Sequence, residues 1–153
     1  VPSADLIGPD KRSDFVPGNS VTVRDSQSDI VIAAVGSILA EALKAADILS
    51  LEGIDVSVVN ARFIKPLDEK FASLYCSGKT ILTLEDHCLA CGFGAAVMES
   101  ISKRMTSGGK IPNPGRVLSL GSDDEFIKAA ERKYQLGRMN ITAEKIAEQI
   151  RKL

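Results

Sequence analysis

Four short apolar runs, each followed by a segment with helical spacing, limit the folds open to this chain more than any other feature. The runs fall at residues 30–35, 54–59, 80–84 and 116–120. Runs of this kind are typical of strands in a parallel sheet that helices cover on both faces. Between them, apolar residues recur three and four positions apart, which indicates amphipathic helices. The predicted helices span residues 38–49, 94–105 and 125–134, with a short helix after Asp68 and a last one from Thr142.

Strands that alternate with helices in this way predict an α/β fold. We expect a three-layer α/β/α sandwich around a mostly parallel sheet, with right-handed crossover connections. Ser37, Asp68 and Thr142 stand where predicted helices begin, and their side-chain oxygens are suited to accept the first unpaired N–H groups of those helices.

Residues 1–28 differ from the rest, because they contain scattered proline and glycine and no sustained period. Val21 and Val23 alternate with polar neighbours, which predicts a short edge strand. We therefore predict one domain over residues 29–153, preceded by an irregular linker with an edge strand over residues 1–28.

Composition narrows the class of protein. The formal net charge is −1 over 153 residues, so neither nucleic acid nor an anionic membrane surface is a predicted partner. The chain has no apolar run near the ~20 residues that a membrane-spanning helix needs. Three cysteines and no secretory pattern favour a reducing, cytoplasmic location. The first residue, Val1, is not methionine, which we interpret as a sign of a fragment or of processing.

Parallel connectivity brings the carboxyl ends of the predicted strands to one edge of the sheet, where open α/β sheets bind their ligands. We predict a site for a small anionic ligand, or an interface with a partner, from five residues at these ends: Arg62, Glu85, Asp86, His87 and Asp123. A free-standing anion-sensing module is one hypothesis from these residues. The alternative is a solvated loop face with ordinary helix caps, since position in a fold is weak evidence of function.

Two of the three cysteines form a Cys88-Leu89-Ala90-Cys91 motif just before a predicted helix. The arrangement is typical of redox dithiols, because a helix N-terminus lowers the pKa of a nearby thiol. Cys88 and Cys91 are therefore candidates for a redox pair, and the alternative is two small half-buried thiols. Cys76 and His87 do not complete a zinc motif with them, so no metal site is predicted.

The helix after this motif opens with Gly92-Phe93-Gly94, which superficially resembles a phosphate-binding loop. It has neither the GxGxxG spacing nor the lysine of GxxxxGK[ST]. We expect the glycines to let the helix approach the sheet closely. No Ser-His-Asp order or carboxylate pair stands out, so no catalytic residue is predicted.

Several sequence blocks, which together cover residues 29–153, resemble the C-terminal domain of the transketolase superfamily of thiamine-diphosphate enzymes. The most specific are the strand–Gly-Ser–helix opening, the ARFIKPLD block at 61–68 and the TLEDH…GFGAAV block at 83–97. Because a histidine follows the acidic pair, this block is most similar to that of the 1-deoxy-D-xylulose-5-phosphate synthase family. Transketolases proper and the β subunits of 2-oxoacid dehydrogenases share a looser form of the pattern and are the alternatives.

This resemblance implies a five-stranded mixed sheet whose first strand is antiparallel. It implies a non-catalytic domain that serves homodimer packing in a transferase, and for which a regulatory ligand site has been proposed. The synthases join pyruvate and glyceraldehyde 3-phosphate, with loss of carbon dioxide, on the route to isoprenoid precursors. Their thiamine diphosphate and Mg²⁺ are held by a GDG…N motif in the N-terminal and middle domains, which become the implied partners.

The chain has no GDG…N motif, so the resemblance implies no cofactor here and no activity for the domain alone. One residue and one short segment depart from the family pattern. Cys91 stands where the first glycine of a Gly-Gly pair is usual, and Lys128-Ala129-Ala130 replaces a more usual Glu-His-Gly.

Overall fold

A five-stranded mixed sheet forms the centre of the molecule, in a computed structural model that describes residues 16–107 and 111–153. The strand order is β1-β3-β2-β4-β5. All neighbours pair in parallel except β1, which is antiparallel to β3. The strands are β1 (Val21–Arg24), β2 (Ile30–Val35), β3 (Ser57–Asn60), β4 (Thr80–Cys88) and β5 (Arg116–Ser122). The predicted fold class is confirmed, and so is the edge strand at Val21 and Val23.

Helices cover both faces of this sheet. A 3₁₀ turn over Gly36–Ile38 leads into the first α-helix. The α-helices of the described residues are α1 (Leu39–Leu51), α2 (Lys70–Cys76), α3 (Phe93–Thr106), α4 (Arg132–Arg138) and α5 (Ala143–Ile150). Buried residues of α1, α4 and α5 pack on one face with Ile32 and Ala34. Those of α2 and α3 pack on the other face with Val31 and Ala33. Successive residues of β2 thus point into opposite layers, which explains its unbroken apolar run.

Two predicted helix caps are present. The Asp68 carboxylate accepts the backbone N–H of Lys70 at 2.8 Å, at the start of α2. The Thr142 hydroxyl accepts the backbone N–H of Lys145 at the start of α5. The predicted Ser37 cap is wrong, because Ser37 lies inside the 3₁₀ turn and its hydroxyl faces the Arg132 side chain instead.

Two further predictions are wrong at their boundaries. The strand predicted at 54–59 begins only at Ser57, because the Ile54 N–H bonds to the Leu49 carbonyl and closes the end of α1. The helix predicted over 125–134 begins at Arg132. Residues 125–131 are good helix formers, but only Ile127 among them is partly buried, and propensity alone does not stabilise a short helix.

Strand β4 runs to Cys88, four residues beyond the predicted end. Glu85, Asp86 and His87 therefore lie within this strand and not in the connection after it. Residues 1–15 of the predicted linker and residues 108–110 of a predicted loop lie outside the described residues. No helix in the described part of the chain is long and apolar enough to cross a membrane.

The sheet order also defines where a ligand site is expected. Strands β2 and β4 are neighbours, yet the helices that follow them, α1 and α3, lie on opposite faces. Such a topological switch point leaves a crevice at the carboxyl ends of the two strands, which is the usual binding position in open α/β sheets.

Candidate functional site at the carboxyl edge of the sheet

Glu85 is a buried carboxylate that caps helix α3. Its side chain is 0% exposed, and its two oxygens accept the backbone N–H groups of Phe93 at 2.6 Å and Gly94 at 2.9 Å. These are first-turn N–H groups that have no partner within the helix. The favourable interaction of a carboxylate with a helix N-terminus accounts for an acidic residue at a fully buried position.

The two glycines of the GFG sequence are required by this arrangement. A Cβ atom on Gly92 would lie 2.0 Å from Glu85 Oε2, and one on Gly94 would lie 2.3 Å from the Ser119 hydroxyl oxygen. Both contacts are far inside van der Waals distance. The prediction that these glycines allow close approach of the helix to the sheet is confirmed.

The same geometry tests whether the described residues fit a diphosphate cofactor. The N-terminus of α3 is the position that resembled a phosphate cradle, and the Glu85 carboxylate already occupies its N–H groups. A second anion there would face like charge in a buried setting. Among residues 16–107 and 111–153, no group of three or more His, Cys, Asp or Glu side chains could hold a metal ion. The described residues therefore do not fit thiamine diphosphate with Mg²⁺.

The switch-point crevice contains an arginine from the β5–α4 connection. The Arg132 guanidinium forms an ion pair with the Asp86 carboxylate at the end of β4, at 2.5 Å. The same nitrogen lies 3.4 Å from the Ser37 hydroxyl, just after β2. Arg132 thus links the ends of the two strands whose helices diverge. Its side chain is 48% exposed and that of Asp86 is 31% exposed, so the pair is reachable from solvent.

His87 follows Asp86 in β4 and is exposed. Its ring nitrogen Nδ1 lies 2.8 Å from the backbone carbonyl oxygen of Cys88. This local contact orients the imidazole along its own strand.

Cys88 and Cys91 are free thiols, with Cys88 half-buried at the end of β4 and Cys91 exposed just before α3. Cys91 has a φ of 58°, in the left-handed region that favours glycine. A glycine at this position of the family pattern therefore has a direct conformational reason. The helix N-terminus that would activate a thiol already binds Glu85, which removes the main physical support for a redox pair. The redox role stays a prediction, and titration of thiol reactivity against pH tests it.

Arg62 and Asp123 lie apart from the Asp86–Arg132 pair. Arg62 follows β3 and has a φ of 60°, and its N–H donates to the Asn60 side chain at 3.1 Å. Asp123 follows β5 and is exposed. Strands β3 and β5 are three positions apart in the sheet, which corresponds to about 14 Å. Strand order thus keeps these two side chains from converging on one small ligand.

The ARFIKPLD block ends in Asp68, whose carboxylate joins the loop before α2 to the segment before β1. One oxygen accepts both the backbone N–H and the hydroxyl of Ser20, each at 2.7 Å, and the other accepts the Lys70 N–H. Partial burial would raise the pKa of Asp68, but these hydrogen bonds outweigh it and hold the pKa below its ordinary value.

Two residues that shape this edge are not among the predicted site residues. Arg132 fell inside a predicted helix, where an arginine is typically a solvated surface residue. Phe126 lies inside the same predicted helix, yet it is fully exposed. A large aromatic residue in the otherwise polar sequence SDDEF was the available signal.

One groove of the described surface lies away from this edge. It has a volume of about 420 Å³ and lies at the amino end of β5, lined by Arg116, Val117, Leu118, Gln149, Lys152 and Leu153. None of the predicted site residues lines it. This groove is wide open to solvent, whereas the predicted site residues lie at the carboxyl edge of the sheet.

Comparison with known proteins agrees with this architecture. Residues 18–146 match the family described as "Transketolase, C-terminal domain". The chain therefore belongs to the transketolase C-terminal domain family.

Individual relatives point to one enzyme name. The chain is 39% identical to the 1-deoxy-D-xylulose-5-phosphate synthase of Gloeobacter violaceus, over 90% of this chain and 21% of that protein. It is 40% identical to the synthase of Anaeromyxobacter dehalogenans strain 2CP-C, over 82% of this chain and 19% of that protein. The chain thus spans about a fifth of the length of these relatives.

Solved structures share the fold. One described as "Split gene transketolase, inactive beta4 tetramer" aligns with a TM-score of 0.75 and 28% identity, over 90% of this chain and 43% of that chain. A transketolase of Pichia stipitis aligns with a TM-score of 0.59 and 21% identity, over 88% of this chain and 18% of that chain. The second likeness is one of fold alone.

Proposed function

We propose that this chain is the non-catalytic C-terminal domain of a thiamine-diphosphate-dependent transferase of the 1-deoxy-D-xylulose-5-phosphate synthase type. The whole enzyme would join pyruvate and glyceraldehyde 3-phosphate, and this domain would pack against its catalytic domains and support a homodimer in the cytoplasm. The observation that carries the proposal is the match to synthases over most of this chain but only a fifth of theirs.

The geometry of the carboxyl edge supports a packing role over a catalytic one. The glycine-flanked N-terminus of α3 is filled by the Glu85 carboxylate. Buried side-chain nitrogen and oxygen atoms of the described residues all have hydrogen-bond partners, so none of them needs a ligand to satisfy its hydrogen bonding. Asp86, His87 and Arg132 are among the residues that this edge exposes to solvent, and they suit contact with another protein surface.

Assembly is the second part of the proposal. The structural neighbour described as a split-gene transketolase β4 tetramer contains this fold, and that protein self-associates. A transketolase C-terminal domain is the alternative within the family, and it would have the same relation to missing catalytic domains.

Calorimetric titration of thiamine diphosphate with Mg²⁺ into the purified chain tests the proposal. We expect no binding heat and no turnover of pyruvate, because the described residues provide neither a diphosphate cradle nor a metal site. Adding the polypeptide of the same organism that carries a GDG…N motif should restore synthase activity. Tight cofactor binding by this chain alone would refute the proposal.

A further inference from the structure

The β5–α4 connection presents one aromatic side chain entirely to solvent. We propose that the Phe126 ring is the anchor through which this domain docks onto the catalytic part of its enzyme, in an apolar pocket with a basic rim. This inference rests on the proposed function and specifies which surface carries it out.

Phe126 is the most exposed large hydrophobic residue among those described, at 103% of its reference area. An exposed phenylalanine side chain forfeits the stabilisation that its burial would provide. Ile127, the next residue, packs against the core, so the connection is anchored while the ring points away. Aromatic side chains that insert into a partner's pocket often dominate the binding energy of an interface.

The connection that carries the ring is fixed at both ends. Arg132 pairs with Asp86 at the carboxyl end of β4, and Glu125, next to the ring, pairs with Arg138 of α4 at 2.9 Å. The Lys128 carbonyl also accepts a hydrogen bond from the Gln135 side chain at 3.3 Å. An anchor held in place before binding loses less conformational entropy when it docks.

Charge and chain direction indicate the occupant. Asp123 and Asp124 are exposed immediately before the ring, and neither carboxylate forms an ion pair within the described part of the chain. They would complement basic side chains around an apolar pocket. Val21 of β1 pairs with Asn60 at the carboxyl end of β3, so the polypeptide that precedes the sheet arrives from the same edge as the ring. Relatives have about four fifths of their length outside the match. The partner that binds Phe126 is therefore this remaining portion of the enzyme.

Binding between two separately produced polypeptides tests the inference. One is this full chain, and the other is the GDG…N-bearing polypeptide of the same organism. Phe126→Ser should weaken their association at least tenfold in sedimentation or calorimetry, and Phe126→Leu should weaken it less. Leu51→Ser is the matched control, since Leu51 is 90% exposed at the end of α1, and it should leave association unchanged. Circular dichroism melting should be alike for all variants.

The outcomes separate the two proposals. Wild-type association that Phe126→Ser leaves intact would overturn the anchor and leave the proposed function standing. No association of the wild-type chain would overturn the proposed function, and the anchor with it. Equal losses for Phe126→Ser and Leu51→Ser would also overturn the anchor, because they would indicate a nonspecific apolar effect.

Discussion

Cys91 occupies a backbone conformation that most side chains avoid. Its φ of 58° lies in the left-handed region, where the Cβ atom crowds the neighbouring carbonyl oxygen. Glycine has no Cβ and adopts this conformation without that cost. The thiol here is exposed, so its packing does not compensate for the strain.

We therefore expect Cys91→Gly to stabilise the fold by about 0.5–1 kcal/mol, as relief of strain exceeds the added flexibility of the unfolded chain. Chemical denaturation of both proteins under reducing conditions measures the difference. Ala90→Gly is the control in the same turn. Ala90 has no positive φ, so that change should destabilise. A loss of stability for Cys91→Gly would contradict the strain argument and indicate a structural role for the thiol.

At the scale of elements, the hydrogen bonds of Asp68 join the segment before β1 to the start of α2. Because the folded-state pKa of Asp68 lies below its ordinary value, the ionised carboxylate favours the folded state. This stabilisation is fully present above the unfolded pKa of about 3.9. It is lost as pH falls through the lower folded pKa.

Asp68→Asn should therefore lower the free energy of unfolding by about 1–2 kcal/mol at neutral pH. The difference from wild type should shrink as pH falls below about 4. Urea denaturation from neutral to acid pH measures both proteins. The pKa of Glu148 is lowered to about 2 by Lys152 and Lys145. Glu148 titrates equally in wild type and in Asp68→Asn, so its contribution cancels in the difference between them. Asp55→Asn, in the exposed loop before β3, is the control. A pH-independent difference would show that Asp68 acts without its charge.

The sequence predicted elements where local pattern and burial agree. The apolar run of β2 is buried on both faces, so its bounds were predicted correctly at Ile30–Val35. Boundaries failed where tertiary contacts decide them. Ile54 closes α1 instead of extending β3.

The role of Arg132 could not be predicted because its partners, Ser37 and Asp86, are 95 and 46 residues away in sequence. No local sequence pattern indicates such a contact. Arg62 and Asp123 lie three strand positions apart because strand order, which sequence does not show, separates β3 from β5.

At the scale of the whole molecule, the sheet divides the interior into two apolar layers. Ile146 of α5 is buried in one layer and Ile101 of α3 in the other. The strands of the sheet contribute side chains to both layers, so neither layer can open without disturbing the other. We expect the domain to unfold in one cooperative transition.

Ile146→Ala and Ile101→Ala should each lower the free energy of unfolding by about 2–5 kcal/mol. Both variants should retain one transition by circular dichroism and by calorimetry. Leu51→Ala, at a 90% exposed position, should change stability by less than about 0.5 kcal/mol. A second transition in either core variant would show that the layers unfold separately.

The antiparallel edge strand has a mechanical consequence. Val21 lies at the carboxyl edge of the sheet beside Asn60, and Leu153 lies at the amino edge, in the groove that Arg116 also lines. Tension applied between these two points therefore runs along the strands. The hydrogen bonds between β1 and β3 stand perpendicular to that direction, so they are loaded together in shear rather than peeled apart one at a time. One of the two shortest strands of the sheet is thus placed where it resists pulling best.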